Sequence, residues 1–326
     1  MTGWRHEKRA IGATGVAVTR LGFGAAPLGN LFAPITDDAA SDCVAAALSA
    51  RIGYFDTAPH YGFGLSERRL GADLNGASPV ISTKVGRRLD PAAGPSTAMG
   101  FVGADPFISV FDYSGDAAER TLMDSLTRLQ RTRIEIVFVH DLGRVVHGDA
   151  HPARLCEALD GVFPRLLDLK AQGLIDAIGL GVNEYQIADE IMDRVPLDAV
   201  LLAGRHTLID RSAARVGFLD RCASAGTALI MGGVFNSGLL ADPFAASPRF
   251  DYAAAPPRTI ARARTMAAAC VRHGSALGAA AVQFPARHAA TASVVVGARS
   301  AAQLGEIVAW ADMPVPDALW AELEEL

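Results

Sequence analysis

Short apolar segments recur along the chain at intervals that leave room for one helix between each and the next. They fall at residues 21–24, 54–56, 80–83, 136–139, 177–180, 199–202, 228–231 and 293–296. Continuous apolar runs this short fit strands buried on both faces rather than strands with one wet side. The intervening segments carry apolar residues three and four apart. The first opens at Thr36-Asp37-Asp38, a helix-start pattern, and runs to about residue 51. Further helices are expected over 66–75, 116–130, 163–172, 186–193, 212–225, 258–273, 276–284, 300–310 and 316–325. Eight such strands, each followed by an amphipathic helix, argue for a closed parallel (β/α)8 TIM barrel. Residues 9–20 alternate apolar and polar around Gly15 and predict a short hairpin ahead of it.

A doubly wound open sheet is the competing architecture. It calls for Gly-x-Gly-x-x-Gly opening directly into a helix. Gly22-Phe-Gly24-Ala-Ala-Pro27 begins that pattern, then puts proline at the third glycine and leads into a loop, so the barrel is preferred. The 326 residues suit one barrel domain over 1–326 with long βα loops at 86–113, 142–151 and 234–257. Half the residues are hydrophobic, enough for a large core, and the formal net charge of -5 is spread without long runs of one sign. That gives no electrostatic footprint for nucleic acid or an anionic membrane. Cys43, Cys156, Cys222 and Cys270 are widely spaced, as buried thiols in a reducing compartment would be. The polar start, Met1 to Arg9, has no signal-peptide core, and no apolar run approaches the roughly 20 residues of a membrane span. A soluble, cytoplasmic protein is expected, and its oligomeric state is left open.

Barrel chemistry sits where the strands end. Three strand ends here carry ionisable groups: Gly53-Tyr-Phe-Asp56-Thr-Ala-Pro-His-Tyr61-Gly62, Ser82-Thr-Lys84, and Val139-His140-Asp141. A phenol with an ordinary pKa near 10 is a reluctant base at neutral pH. An ammonium beside it would stabilise the phenolate, so Lys84 is placed next to Tyr61, with Asp56 holding the lysine charged. His140 would donate to the same substrate oxygen. Such a group moves a proton on oxygen while the attached carbon exchanges hydride, and hydride requires a nicotinamide. Each residue has an ordinary structural role as alternative: a capping aspartate, a packing tyrosine, a capped turn at His140. Lys84 also admits a Schiff-base role in an aldolase-type barrel. His147 and His151 flank Asp149, but no third ligand at fitting spacing follows, so no metal is expected.

These blocks, in this order, resemble the signature segments of the aldo-keto reductases, and the likeness runs from Leu21 to about residue 307. It implies a catalytic tetrad of Asp56, Tyr61, Lys84 and His140. It also implies a nicotinamide cofactor, NAD with NADP as the alternative. Gly297, Ala298, Arg299, Ser300, Gln303 and Glu306 would hold its adenosine phosphate end. Gly232, Gly233, Phe235, Gly238 and Leu239 would lie in the loop over the pyrophosphate, and Asn183 would hold the carboxamide. Where many members place a tyrosine against the nicotinamide, this chain departs from the pattern with Arg205-His206, of which the histidine can also stack. The blocks around Gly29, Glu67, Ser114 and Asn183 are similar to the branch of aldose 1-dehydrogenases, which includes enzymes named for D-threo-aldoses, L-fucose, L-galactose and pyridoxal. The resemblance implies oxidation of a cyclic hemiacetal to a lactone. The alternatives are pyridoxal oxidation, general aldehyde or ketone reduction, or a non-catalytic cofactor-sensing barrel. Phe101, Phe107, Phe111, Tyr113 and Phe235 are expected either to wall the substrate pocket or to anchor the loops that carry them.

Overall fold

The computed structural model describes residues 3–74 and 76–326. Its parallel strands are β1 (Leu21–Gly24), β2 (Tyr54–Asp56), β3 (Val80–Val85), β4 (Ile134–His140), β5 (Ile175–Val182), β6 (Ala199–Ala203), β7 (Ala228–Gly232) and β8 (Thr291–Val296). Neighbours in sequence pair in space, and β8 returns to β1 through Val294↔Leu21, Val295↔Gly22 and Val296↔Phe23, which closes the barrel.

Strand parity sorts the side chains into two cores. Ile136, Phe138, Ala177, Ala199, Leu201, Ile230 and Val295 point inward, and the hairpin of Lys8–Ala10 and Ala17–Thr19 adds Ile11, Val16 and Val18 to the same cluster. Their alternates, such as Phe55, Ile81, Val137, Val139 and Leu180, point outward against the helices. Full burial of a side chain such as Phe138 contributes about 2–3 kcal/mol. The same parity carries Asp56, Ser82, Lys84 and His140 inward, because each lies an even number of residues from an inward neighbour on its strand. Register completes the arrangement by setting Asp56 beside Ser82 and Lys84 beside Phe138.

The outer ring is α1 (Asp37–Ser49), α2 (Leu65–Asp73), α3 (Gly115–Leu129), α4 (Val162–Ala171), α5 (Tyr185–Ile191), α6 (Phe218–Ala225), α7 (Leu277–Gln283) and α8 (Ala301–Asp312). Thr36 caps α1 by accepting from the Ala39 amide at 3.1 Å, and Ser114 does the same for α3 from Ala117 at 3.3 Å. Two more helices, Pro257–Arg272 and Asp317–Glu325, share a separate core with Met266, Cys270, Trp320 and Leu323. Among the described residues no helix is long and apolar enough to cross a membrane.

Three departures from the sequence expectation bear on the site and its surroundings. Residues 86–113 are not a loop: Arg87–Pro91 pairs with Phe107–Phe111, and Ser96–Ala98 with Phe101–Ala104. Phe101 and Ala104 gain their burial from a small satellite core with Phe63, a distant contact that local pattern does not carry. A helix His151–Asp160, with proline at its first turn, precedes α4 where a loop was expected to end. The helix expected over 212–225 breaks at Gly217, whose φ of 76° ends Ser212–Arg215 before α6 begins.

Candidate active site

The carboxyl ends of β2, β3 and β4 bring Asp56, Lys84 and His140 together, and the loop after β2 lays Tyr61 over them. Lys84, 1 % exposed, donates from Nζ to both oxygens of Asp56 and to the Thr57 carbonyl, each at 2.8 Å. Ser82 Oγ donates to Asp56 Oδ1 at 2.7 Å and lies 2.8 Å from the Tyr54 hydroxyl. The ammonium is thus fully engaged and fixed in place. It sits 4.8 Å from the centre of the Tyr61 ring, and His140 meets that ring edge-on at 6.0 Å.

The Tyr61 loop is positioned by backbone contact. A Cβ on Gly29 would fall 2.5 Å from the Tyr61 carbonyl carbon and 2.6 Å from the Gly62 nitrogen, and Gly62 itself takes a φ of 65°. Only glycine fits this close approach.

Charge and burial set the protonation pattern. Burial, followed by the nearby Asp56, pushes the Tyr61 phenol well above its usual value of 10. Lys84 does not offset this shift as the sequence suggested, because its charge is matched at once by Asp56. Burial, with Arg87 and Lys84 beside it, pushes His140 well below 6.5 and keeps it neutral. His60 is lowered to about 3 by burial and the same two cations.

An ion pair that sequence reasoning missed borders this group. Arg87 donates to Asp141 Oδ2 at 2.5 Å, stacks 4.2 Å above Phe111, and places a guanidinium nitrogen 3.0 Å from His60 Nε2. Asp141 lies 3.5 Å from His140 Nε2, and burial raises its carboxyl pKa. Tyr113 braces the turn by donating to the His140 and Asp141 carbonyls at 2.9 and 3.0 Å. Arg87 begins a strand that the sequence did not suggest, and only its place beside the His140-Asp141 turn marks it.

Two cavities meet at Tyr61. One, of about 700 Å³, is lined by His60, Tyr61, Lys84, Arg87, His140, Asp141 and the buried Phe101, and by the exposed Phe32, Met99, Val146 and Tyr252. Its size suits a small molecule. The other runs past Asp56, Asn183, Gly232, Gly233, Phe235, Gly238 and Gly297. It adjoins a third hollow lined by Ala298, Arg299, Gln303, Glu306 and Trp310, which shares Phe235, Gly238 and Gly297 with it. This glycine-walled cleft, with bare backbone close to its floor, fits a dinucleotide whose phosphates need close approach.

The expected cofactor residues fall mostly here. Two do not line it. Leu239 is fully buried in the core of the two added helices. Ser300 spends its hydroxyl capping α8, accepting from the Gln303 amide at 3.2 Å. His206 does not reach the cleft: it is buried 4.9 Å from Phe284, outside both main cavities. Arg205 lines the cleft in its place, donating to the Asn183 carbonyl, Asp210 and Asp251 at 2.9, 2.7 and 2.7 Å. Of the loop aromatics, Phe101 lines the larger cavity and Phe235 the cleft, while Phe107, Phe111 and Tyr113 anchor loops. His147 packs against Phe111 and shares a 2.9 Å hydrogen bond with the Tyr113 hydroxyl, whereas His151 reaches the Leu142 carbonyl at 3.1 Å.

Fold and cavities together define a class: barrel enzymes that work at the carboxyl ends of their strands. Within it, the chain belongs to the aldo/keto reductase family, whose model matches residues 20–326. It is an oxidoreductase of CH–OH or carbonyl substrates, and members of this family use a nicotinamide cofactor. It is 42% identical over 332 residues to the pyridoxal 4-dehydrogenase of Microbacterium luteolum, covering 97% of this chain and 96% of that one. It is 38% identical over 326 residues to a D-threo-aldose 1-dehydrogenase of a Pseudomonas species, again with 97% and 96% covered. Among solved structures, an aldo-keto reductase of Bacillus halodurans in its holo form superposes with a TM-score of 0.77 at 21% identity, covering 98% of this chain and 96% of that one.

Proposed function

We propose that the chain oxidises the hemiacetal carbon of an aldose to a lactone and passes the hydride to NAD. The observation that supports this reading is the fixed Lys84–Asp56 pair under the Tyr61 ring, with His140 edge-on beside it. In this reading Tyr61 exchanges the proton of the reacting hydroxyl, and neutral His140 donates to the same oxygen. Lys84 and Asp56 hold the phenol in place and keep the local charge balanced. The nicotinamide, when bound, supplies the hydride acceptor. The protonated phenol is ready to act as an acid in carbonyl reduction, whereas oxidation needs it to give up that proton. Oxidation should therefore speed up as pH rises, and reduction should slow.

Two observations refine the substrate and cofactor. The Arg87–Asp141 pair offers a donor and an acceptor to substrate hydroxyls within the larger cavity. The hollow holding Arg299 also contains Glu306 and Asp242, and two carboxylates against one guanidinium disfavour the 2′-phosphate of NADP. A second reading takes pyridoxal as the substrate. It is supported by the relative of that name at 42% identity, and pyridoxal too closes to a hemiacetal. Either way the four cysteines, free in the structure, suit a cytoplasmic setting.

The test is absorbance of reduced nicotinamide with NAD or NADP and a panel of L-fucose, D-arabinose, L-galactose and pyridoxal. Tyr61→Phe should lower turnover by about two orders of magnitude or more while the cofactor still binds. Near-normal turnover in that variant would remove Tyr61 from the proton step.

A further inference from the structure

The larger cavity holds a carboxylate oxygen that the protein leaves free. The Asp141 and Arg87 side chains are only 12 % and 10 % exposed, and they meet through Asp141 Oδ2. Among the described residues Asp141 Oδ1 accepts no hydrogen bond. Arg87 is held where it is, between the Phe111 ring at 4.2 Å and His60 Nε2 at 3.0 Å. Asp141 is fixed as firmly. Its φ of 52° is left-handed, its amide donates to the Gly181 carbonyl at 2.9 Å, and the Tyr113 hydroxyl holds its own carbonyl at 3.0 Å. A non-glycine residue kept in that conformation points to a functional demand on the turn. A nearly buried acceptor on a cavity wall calls for a donor from the ligand.

Position narrows down that donor. Asp141 Oδ2 is 3.5 Å from Nε2 of His140, the side chain proposed to donate to the reacting oxygen on C1. On a sugar ring, the ring oxygen and the C2 hydroxyl flank that position. The ring oxygen only accepts, so a carboxylate would repel it. The C2 hydroxyl lies about one hydrogen-bond length from the reacting oxygen, and it can donate to Asp141 while accepting from Arg87. Hydroxyls at C3 and beyond lie further away.

We propose that Arg87 and Asp141 select the C2 hydroxyl of the sugar, with Asp141 Oδ1 accepting its proton and an Arg87 Nη donating to its oxygen, so that 2-deoxy sugars are rejected. This rests on the aldose reading and adds to it the ring position that the pair recognises.

The test compares kcat/KM for L-fucose with 2-deoxy-L-fucose, and for D-arabinose with its 2-deoxy counterpart 2-deoxy-D-ribose, by absorbance of reduced nicotinamide with the full chain and NAD or NADP. Each pair of sugars differs only at C2. Removing an electron-withdrawing hydroxyl beside C1 makes that carbon a better hydride donor, so chemistry alone favours the deoxy sugars. The wild-type chain should instead favour the 2-hydroxy sugars by about a hundredfold, the worth of one to two hydrogen bonds to charged groups. Asp141→Asn keeps the size and tolerates the left-handed turn, and loss of the charged acceptor should narrow that gap to about tenfold or less. Comparable kcat/KM for both members of each pair in the wild-type chain would overturn the inference and leave the aldose reading intact. So would an Asp141→Asn variant that lowers both sugars alike, the signature of a residue that only braces the site. No turnover of any of the four sugars would instead remove the aldose reading, and the inference with it.

Discussion

Replacing Lys84 by methionine separates its structural role from its chemical one. The ammonium makes three contacts of 2.8 Å, two of them to Asp56, and both side chains are almost wholly buried. Methionine roughly preserves the volume but leaves Asp56 with Ser82 as its remaining side-chain donor. Stranding one member of a buried pair costs about 3–5 kcal/mol. That is a large share of the roughly 5–15 kcal/mol that holds a domain folded. With a urea m-value of about 3 kcal/mol per molar, the unfolding midpoint should fall by about 1 M or more. Adding Asp56→Asn removes the stranded charge, so the double variant should recover most of the loss, with a coupling of about 2–3 kcal/mol between the two sites. Turnover should stay depressed in both variants, because neither restores a cation under Tyr61. Urea unfolding followed by circular dichroism, paired with steady-state kinetics, reads both quantities. A single variant as stable as wild type, or a double variant carrying the summed cost, would refute the buried-pair reasoning.

The backbone contact beneath Tyr61 predicts that Gly29→Ala lowers activity by displacing the Tyr61 loop, since its Cβ would meet backbone atoms at 2.5–2.7 Å. A stability cost of about 1–3 kcal/mol should accompany it, as for other overpacked sites, and a thermal melt showing no change would count against the contact. Acid sensitivity follows from the neutral histidines. His60 and His206 are lowered to about 3 and about 4, chiefly by burial, and burial, with Arg87 and Lys84 beside it, holds His140 well below 6.5. The unfolded chain therefore takes up protons first as pH drops below about 6.5, and stability is lost on the acid side. From pH 7 to 5 the loss is up to about 2 kcal/mol per imidazole, and His206→Gln should make urea midpoints less dependent on pH. A pH-independent midpoint across that range would contradict the burial of these rings.

Much of the architecture is local and was legible in the residues. The eight strands fall where short apolar runs predicted them, because a strand buried on both faces needs no partner's pattern to be recognised. Asp56, Lys84 and His140 share one pole because strand parity and a parallel register leave them no other direction. What the sequence did not carry rests on contacts between distant segments. The hairpins of 86–113 are held by Phe101 against Phe63, the Arg87–Asp141 pair ties a hairpin strand to the turn after β4, and Asn236 is an ordinary turn residue until the fold buries it. The protonation of Tyr61 belongs to the same class, since the pairing of Lys84 with Asp56 was readable but the depth at which the phenol sits was not. Sequence determined which groups stand at the strand ends, because backbone periodicity is a local property. Tertiary structure decided their burial and charge balance, because desolvation and Coulomb energy depend on everything packed around a group.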